Sequence, residues 1–182
     1  ARSLYAELAR SLSTRTAPEG GALRNILESY IQKATERAGA TGVPIEMAVK
    51  DGLGDIREMV AGYDFATVVA AYARGYEDGN SVLQDAALRW LRGEYTTKTE
   101  ARQDLGVRTI LDDASFYDGL RLLAKFVRVA GFGWMIVCLD ELVNLYKLQS
   151  AQARKQNYEQ ILRILNDVLQ GTTEGIGFIL GG

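Results

Sequence analysis

Asp140 and Glu141 stand directly after an apolar run, residues 134–139. Neighbouring residues in extended backbone point to opposite sides, so two adjacent acids at a strand end can divide labour. One can steady a magnesium ion, which needs few carboxylates because it keeps waters and phosphate oxygens. The other can orient and polarise a water that attacks a phosphate, which is the main thing phosphoryl transfer asks of a protein. The structural alternative is a strand whose exposed acids only cap the next turn. The chain has no His and a single Cys, Cys138. That excludes Ser-His-Asp and Cys-His triads and every His-ligated zinc site. Any chemistry therefore rests on carboxylates, Lys/Arg, hydroxyls or backbone groups.

The elements around the pair follow from periodicity. Residues 134–139 are six consecutive apolar residues without alternation, which predicts a strand buried on both faces. A helix is predicted from Ser150 to Gln170, with Tyr158, Ile161, Leu162, Leu165, Val168 and Leu169 as its apolar stripe and Gly171 as its stop. Residues 176–180 predict a second buried strand. Strand, helix, strand is a βαβ unit with parallel strands and a right-handed crossover. Ligands of open α/β sheets collect at the C-terminal ends of such strands, which is where Asp140 falls.

The first 130 residues read mainly as helix. Leu4, Leu8 and Leu12 share one spacing, and Leu23, Ile26, Leu27, Tyr30, Ile31 and Ala34 form one stripe. Residues 39–54 predict a loop with one short helix from Pro44. Asp64 is the expected N-cap of a helix carrying Phe65, Val68, Val69, Tyr72 and Tyr76. Ser81 and Gln84 pair as a capping box before Leu88, Trp90 and Leu91. Residues 94–113 are polar and turn-rich, with one apolar knot at Leu105, Val107, Ile110 and Leu111. Ser115 is the expected cap of a helix carrying Phe116, Leu120, Leu123, Val127 and Ala130. The predicted fold class is α/β, predominantly helical, with a helical subdomain over residues 1–130 and the βαβ part over residues 131–182.

The chain has 182 residues and a net charge of −2, which argues against coating nucleic acid by bulk charge. Arg121, Lys125 and Arg128 share one helix face that could meet nucleic acid or an acidic partner; the alternative is a solvated face. Arg154 and Lys155 could serve a neighbour's nucleotide as an arginine finger does, or simply end a surface helix. Asn144 and Tyr146 could orient the acids. Cys138 is expected as a small buried hydrophobe, and Trp90, Trp134, Tyr72 and Tyr76 as packing residues. No apolar run is long enough to span a bilayer. A lone Cys and the absence of a leader pattern make the cytoplasm the expected location.

Four or more apolar residues followed by Asp-Glu form the Walker B pattern of P-loop nucleotide hydrolases. Its partner, G-x-x-x-x-G-K-[ST], is absent, and no Gly-Lys pair occurs in the chain. The chain opens at Ala1 without Met and stops at Gly182 straight after an apolar run. It is expected to be a fragment.

The blocks Leu88-Arg89-Trp90-Leu91-Arg92-Gly93-Glu94, Thr99-Glu100-Ala101-Arg102 and Leu105-Gly106-Val107 resemble the ATP-binding proteins of bacterial phage-exclusion (BREX) systems. The likeness continues through Tyr117-Asp118, Phe126-Val127-Arg128, the segment 139–146, Asn157-Tyr158-Glu159, Ile164-Leu165-Asn166-Asp167 and the segment 177–182. It implies an AAA+-like P-loop ATPase of the additional-strand type, with Walker A upstream of Ala1 and the sensor position at or past Gly182. Asp140 then matches the metal-side acid, meeting Mg2+ through water beside the nucleotide, and Glu141 the catalytic acid. Mg2+ and ATP are expected for the parent, and neither is expected on this fragment alone. Expected partners are ATP, other defence-system proteins and further copies of the chain, with nucleic acid as an alternative. The competing function is a non-catalytic helical interaction module with a degenerate nucleotide-binding fold.

Overall fold

The 23–34 stripe folds as its spacing predicts. In the computed structural model, which describes residues 2–140, 150–171 and 174–181, Leu23, Ile26, Leu27, Tyr30, Ile31 and Ala34 are all buried along α2 (Leu23–Thr41). Gly42 closes that helix in the left-handed region, φ 72°, where glycine carries no Cβ penalty. The chain starts with α1 (Arg2–Ser11) and continues after α2 through α3 (Ile45–Gly52), α4 (Gly54–Arg57), α5 (Gly62–Glu77), α6 (Ser81–Leu91), α7 (Lys98–Leu105) and α8 (Phe116–Val129). Then come β1 (Met135–Leu139), α9 (Ala151–Leu169) and β2 (Ile176–Leu180). The fold is mostly helical with a small parallel sheet. No helix among the described residues is long and apolar enough to cross a membrane.

Helix α5 is the hub. It packs against α3, α4 and α6, and Ala66, Ala70, Ala71 and Ala73 are buried on it beside Phe65, Val68, Val69 and Tyr72. Small residues let neighbouring helices come close on several sides. At the start of α5, Gly62 lies so near the Ile56 carbonyl that a Cβ there would collide with it. Edge-on aromatic contacts tie the helices together: Tyr30–Phe126 at 5.3 Å, Phe65–Phe126 at 5.4 Å and Phe65–Trp90 at 6.3 Å.

Several local expectations change. The buried face of α1 is Tyr5, Ala6 and Ala9, with Leu4 exposed. The Tyr5 hydroxyl donates to the Leu91 carbonyl (2.9 Å). Asp64 is not the cap of α5; the helix begins at Gly62, and the cap position is Ala61 at φ 59°. Asn80, not Ser81, caps α6, its side chain accepting from Leu83 N (3.1 Å). Gln84 instead donates to the Gly75 carbonyl (3.0 Å). Tyr76 is exposed, whereas Trp90 and Tyr72 are buried as expected.

Residues 94–113 contain a helix that the polar composition hides. Thr97 caps α7 by accepting from Glu100 N (3.3 Å), and Gly106 ends it at φ 72°. Only Ala101 and Leu105 of α7 are buried, too few to make a visible stripe. The apolar knot that follows is real: Leu105, Val107 and Leu111 are all buried.

The two strands pair in parallel, Met135↔Ile176 through Leu139↔Leu180, and α9 crosses between them. Burial of β1 alternates, which corrects the expectation of a strand covered on both faces. Met135 and Val137 join the helical core with Ile176 and Ile164. Trp134, Ile136 and Ile179 are 69%, 63% and 59% exposed, and Cys138 is exposed with them. An apolar run shows that a strand is apolar on both sides, not that both sides are covered.

Four core tyrosines give the fold a pH limit. Burial raises Tyr5, Tyr30 and Tyr95 above the ordinary phenol value and pushes Tyr72 up to about 12. Unfolded tyrosine ionises near about 10, so the folded state holds these protons longer. Their contribution is complete below about pH 10 and is lost as pH rises through the folded values. Thermal midpoints should be flat to pH 9 and fall steeply above 10; an equal midpoint at pH 11 would contradict this.

Candidate functional site

Hydrogen-bond geometry decides where Asp140 sits. In a parallel pair, alternate residues of one strand bond to its neighbour. Met135 N donates to the Gly175 carbonyl (2.9 Å) at one end, and Gly181 N donates to the Leu139 carbonyl (2.7 Å) at the other. Asp140 is therefore the first residue beyond the C-terminal end of β1, at the rim of the sheet. Across the rim is Gly181. The Asp140 carboxylate lies against it so closely that Oδ1 occupies the space a Cβ on residue 181 would need. Asp140 is exposed, so an approaching ligand can reach its oxygens.

The donor set bears on a metal. No group of three or more His, Cys, Asp or Glu side chains among the described residues could hold an ion by itself. One exposed carboxylate fits a magnesium ion whose remaining ligands are water and phosphate oxygens, and it does not fit an all-protein cage of the calcium kind. Glu141, Asn144 and Tyr146 lie outside the described residues.

Helix α9, which lies between the strands in the chain, is tied to α8. Ser150 caps α9, its hydroxyl accepting from Ala153 N (3.2 Å), and Gly171 follows the helix at φ 67°. On α9, Ile164 is buried while Tyr158 and Leu162 are exposed. Arg163 spans to α8, lying 5.0 Å from the Tyr117 ring centroid and 3.8 Å from Asp118. At the opposite end of β2, Arg128 pairs with Glu174 (3.0 Å).

The basic face of α8 is partly neutralised. Besides the Arg128 pair, Lys125 stands 3.8 Å from Asp55, and Arg121 is half-buried. Lys155 pairs with Glu159 on its own helix (3.7 Å). Arg154 sits in the first turn of α9. A cleft of about 270 Å³ runs along β1, between residues 134–138 and the segment Ser11–Thr14, over Ile26, Leu120 and Val127. It is at the small end for ligand sites, and Asp140 does not line it.

The sequence does not show the role of Gly181, and it shows Asp64 only as a helix cap. Gly181 matters for what it lacks, and the only signal was a glycine pair closing an apolar strand. Asp64 anchors the loop before α8. Its Oδ2 accepts from Arg108 N (2.9 Å), Thr109 N (2.7 Å) and Thr109 Oγ1 (2.7 Å).

No curated protein and no solved structure matches the chain significantly. The sequence model of one family, described as BREX system ATP-binding protein BrxC/D, matches residues 1–182, and the chain belongs to that family.

Proposed function

We propose that the chain is the Walker B-bearing part of an ATPase of a phage-defence system. The observation that carries this reading is the position of Asp140. In a chain of an ATP-binding family, the acid that follows an apolar strand stands exposed at the C-terminal rim of a parallel sheet. That rim is where open α/β sheets meet their ligands.

In this reading Asp140 holds the hydration shell of a magnesium ion, and Glu141 orients and deprotonates the attacking water. The ion, when bound, would neutralise charge on the β- and γ-phosphates. The phosphate cradle comes from a G-x-x-x-x-G-K-[ST] segment upstream of Ala1. Residues 1–130 form a helical subdomain that transmits nucleotide state to partner proteins or other copies of the chain, and residues 131–182 belong to the nucleotide-binding core. The open apolar face of Trp134, Ile136, Cys138 and Ile179 supports placing the two strands in a larger sheet. Parallel strands ordinarily have both faces covered, and a two-stranded sheet is marginal alone.

Turnover of the full-length protein tests the reading. Glu141→Gln keeps the side chain's size and removes its basicity. It should bind Mg-ATP as the wild type does and hydrolyse it at least about tenfold more slowly, since a general base typically contributes roughly a hundredfold or more. Unchanged turnover removes Glu141 from the chemistry. Calorimetry that finds no ATP binding in any form of the protein favours the interaction-module reading instead.

A further inference from the structure

We propose that Gly181 is a positioning residue for Asp140: its missing side chain leaves the space in which the Asp140 carboxylate lies across the end of β2. The inference rests on the reading of Asp140 as the acid on the metal side of the nucleotide. Two contacts define the arrangement. Gly181 N donates to the Leu139 carbonyl (2.7 Å), and that carbonyl belongs to the peptide joining Leu139 to Asp140. The backbone of Asp140 is thereby fixed to β2. The side chain then folds over Gly181, where a Cβ would overlap Oδ1, stand 3.3 Å from Cγ and 3.5 Å from the Asp140 Cα.

What a larger residue displaces decides its effect. At Gly62 the obstructing atoms are backbone, and the helix itself would have to move. At Gly181 the close atom is the far end of a short, exposed side chain, not backbone. A methyl group here is relieved by rotation of χ1 of Asp140, with no shift of the backbone required. The rotation still moves the carboxylate from its place at the rim, and losing a group that holds a metal's outer shell costs about tenfold or more in affinity. Gly181 does not lie among the residues with positive φ, so alanine is also compatible with its backbone. The glycine is thus explained by the carboxylate beside it and not by a turn.

Binding of Mn-ATP and of metal-free ATP to the full-length protein, measured by calorimetry alongside thermal unfolding, tests the assignment. Gly181→Ala should weaken Mn-ATP by about tenfold while leaving metal-free ATP and the thermal midpoint unchanged. In an Asp140→Ala background, with no carboxylate to displace, Gly181→Ala should add nothing. Unchanged Mn-ATP affinity, equal loss for metal-free ATP, a lowered midpoint with both affinities reduced, or full additivity with Asp140→Ala would each overturn it. If Asp140→Ala itself leaves Mn-ATP binding intact, or the wild type binds none, the metal role of Asp140 falls and this inference falls with it. If only the Gly181 arm fails, Asp140 keeps its role without the glycine's help.

Discussion

Asp64→Ala is expected to destabilise the protein by about 3 kcal/mol, more than a hundredfold in the folding equilibrium. One carboxylate oxygen collects three donors from Arg108 and Thr109, and hydrogen bonds to a charged acceptor contribute about 1.5–3 kcal/mol each. The loop is only part-buried, so water recovers some of the loss and the sum is not reached. Asp64 also lies in the first turn of α5, where a negative charge is favoured by the helix dipole. The consequence reaches the sheet. The same loop accepts Trp90 Nε1 at the Thr109 carbonyl (2.8 Å) and leads into α8, whose Phe126 and Val127 pack in the core with Met135 and Val137 of β1. Urea unfolding followed by tryptophan fluorescence measures the effect. Asp64→Asn, which keeps an oxygen but not its charge, should fall between wild type and Asp64→Ala. A loss under about 1 kcal/mol in the alanine variant would mean the loop is held by other contacts.

The parts of the fold that were legible in the sequence are those where one residue pattern has one physical reading. The α2 stripe is spaced for a helix and is buried as such. Ser150 and Gly171 bracket α9 because a hydroxyl cap and a left-handed glycine do little else at those places. The parallel pairing of β1 and β2 followed from the helix between two short apolar runs. Where a pattern has two readings, sequence failed. Leu4, Leu8 and Leu12 mark α1 as helical, but nothing in that spacing shows that Tyr5 is buried or that its hydroxyl meets the Leu91 carbonyl. Asp64 looks like a cap from its neighbours in the chain; its actual partners are forty-four and forty-five residues away. The role of Gly181 depends on a contact with Asp140 made only after the sheet has formed.

Asp140→Ala is expected to weaken Mg-ATP binding to the full-length protein by roughly thirtyfold. The size follows from Coulomb's law: a unit negative charge about 4.5 Å from a doubly charged cation, the separation a bridging water imposes, gains about 2 kcal/mol even at the dielectric constant of water. That energy is roughly thirtyfold in affinity. Asp140 is exposed, so the high-dielectric value is the appropriate one and larger figures for buried pairs do not apply. Two further results follow from the same physics. The factor should shrink as salt is raised, because exposed charges are screened over about 10 Å at 0.1 M ionic strength. It should also disappear when binding is measured with ATP in EDTA, since the carboxylate then has no cation to attract and slightly repels the triphosphate. Asp140→Asn should resemble Asp140→Ala, because the amide keeps the shape and loses the charge. Calorimetry across a salt series separates this electrostatic role from a structural one. A structural acid at the strand end would lose the same factor with and without magnesium, at every ionic strength.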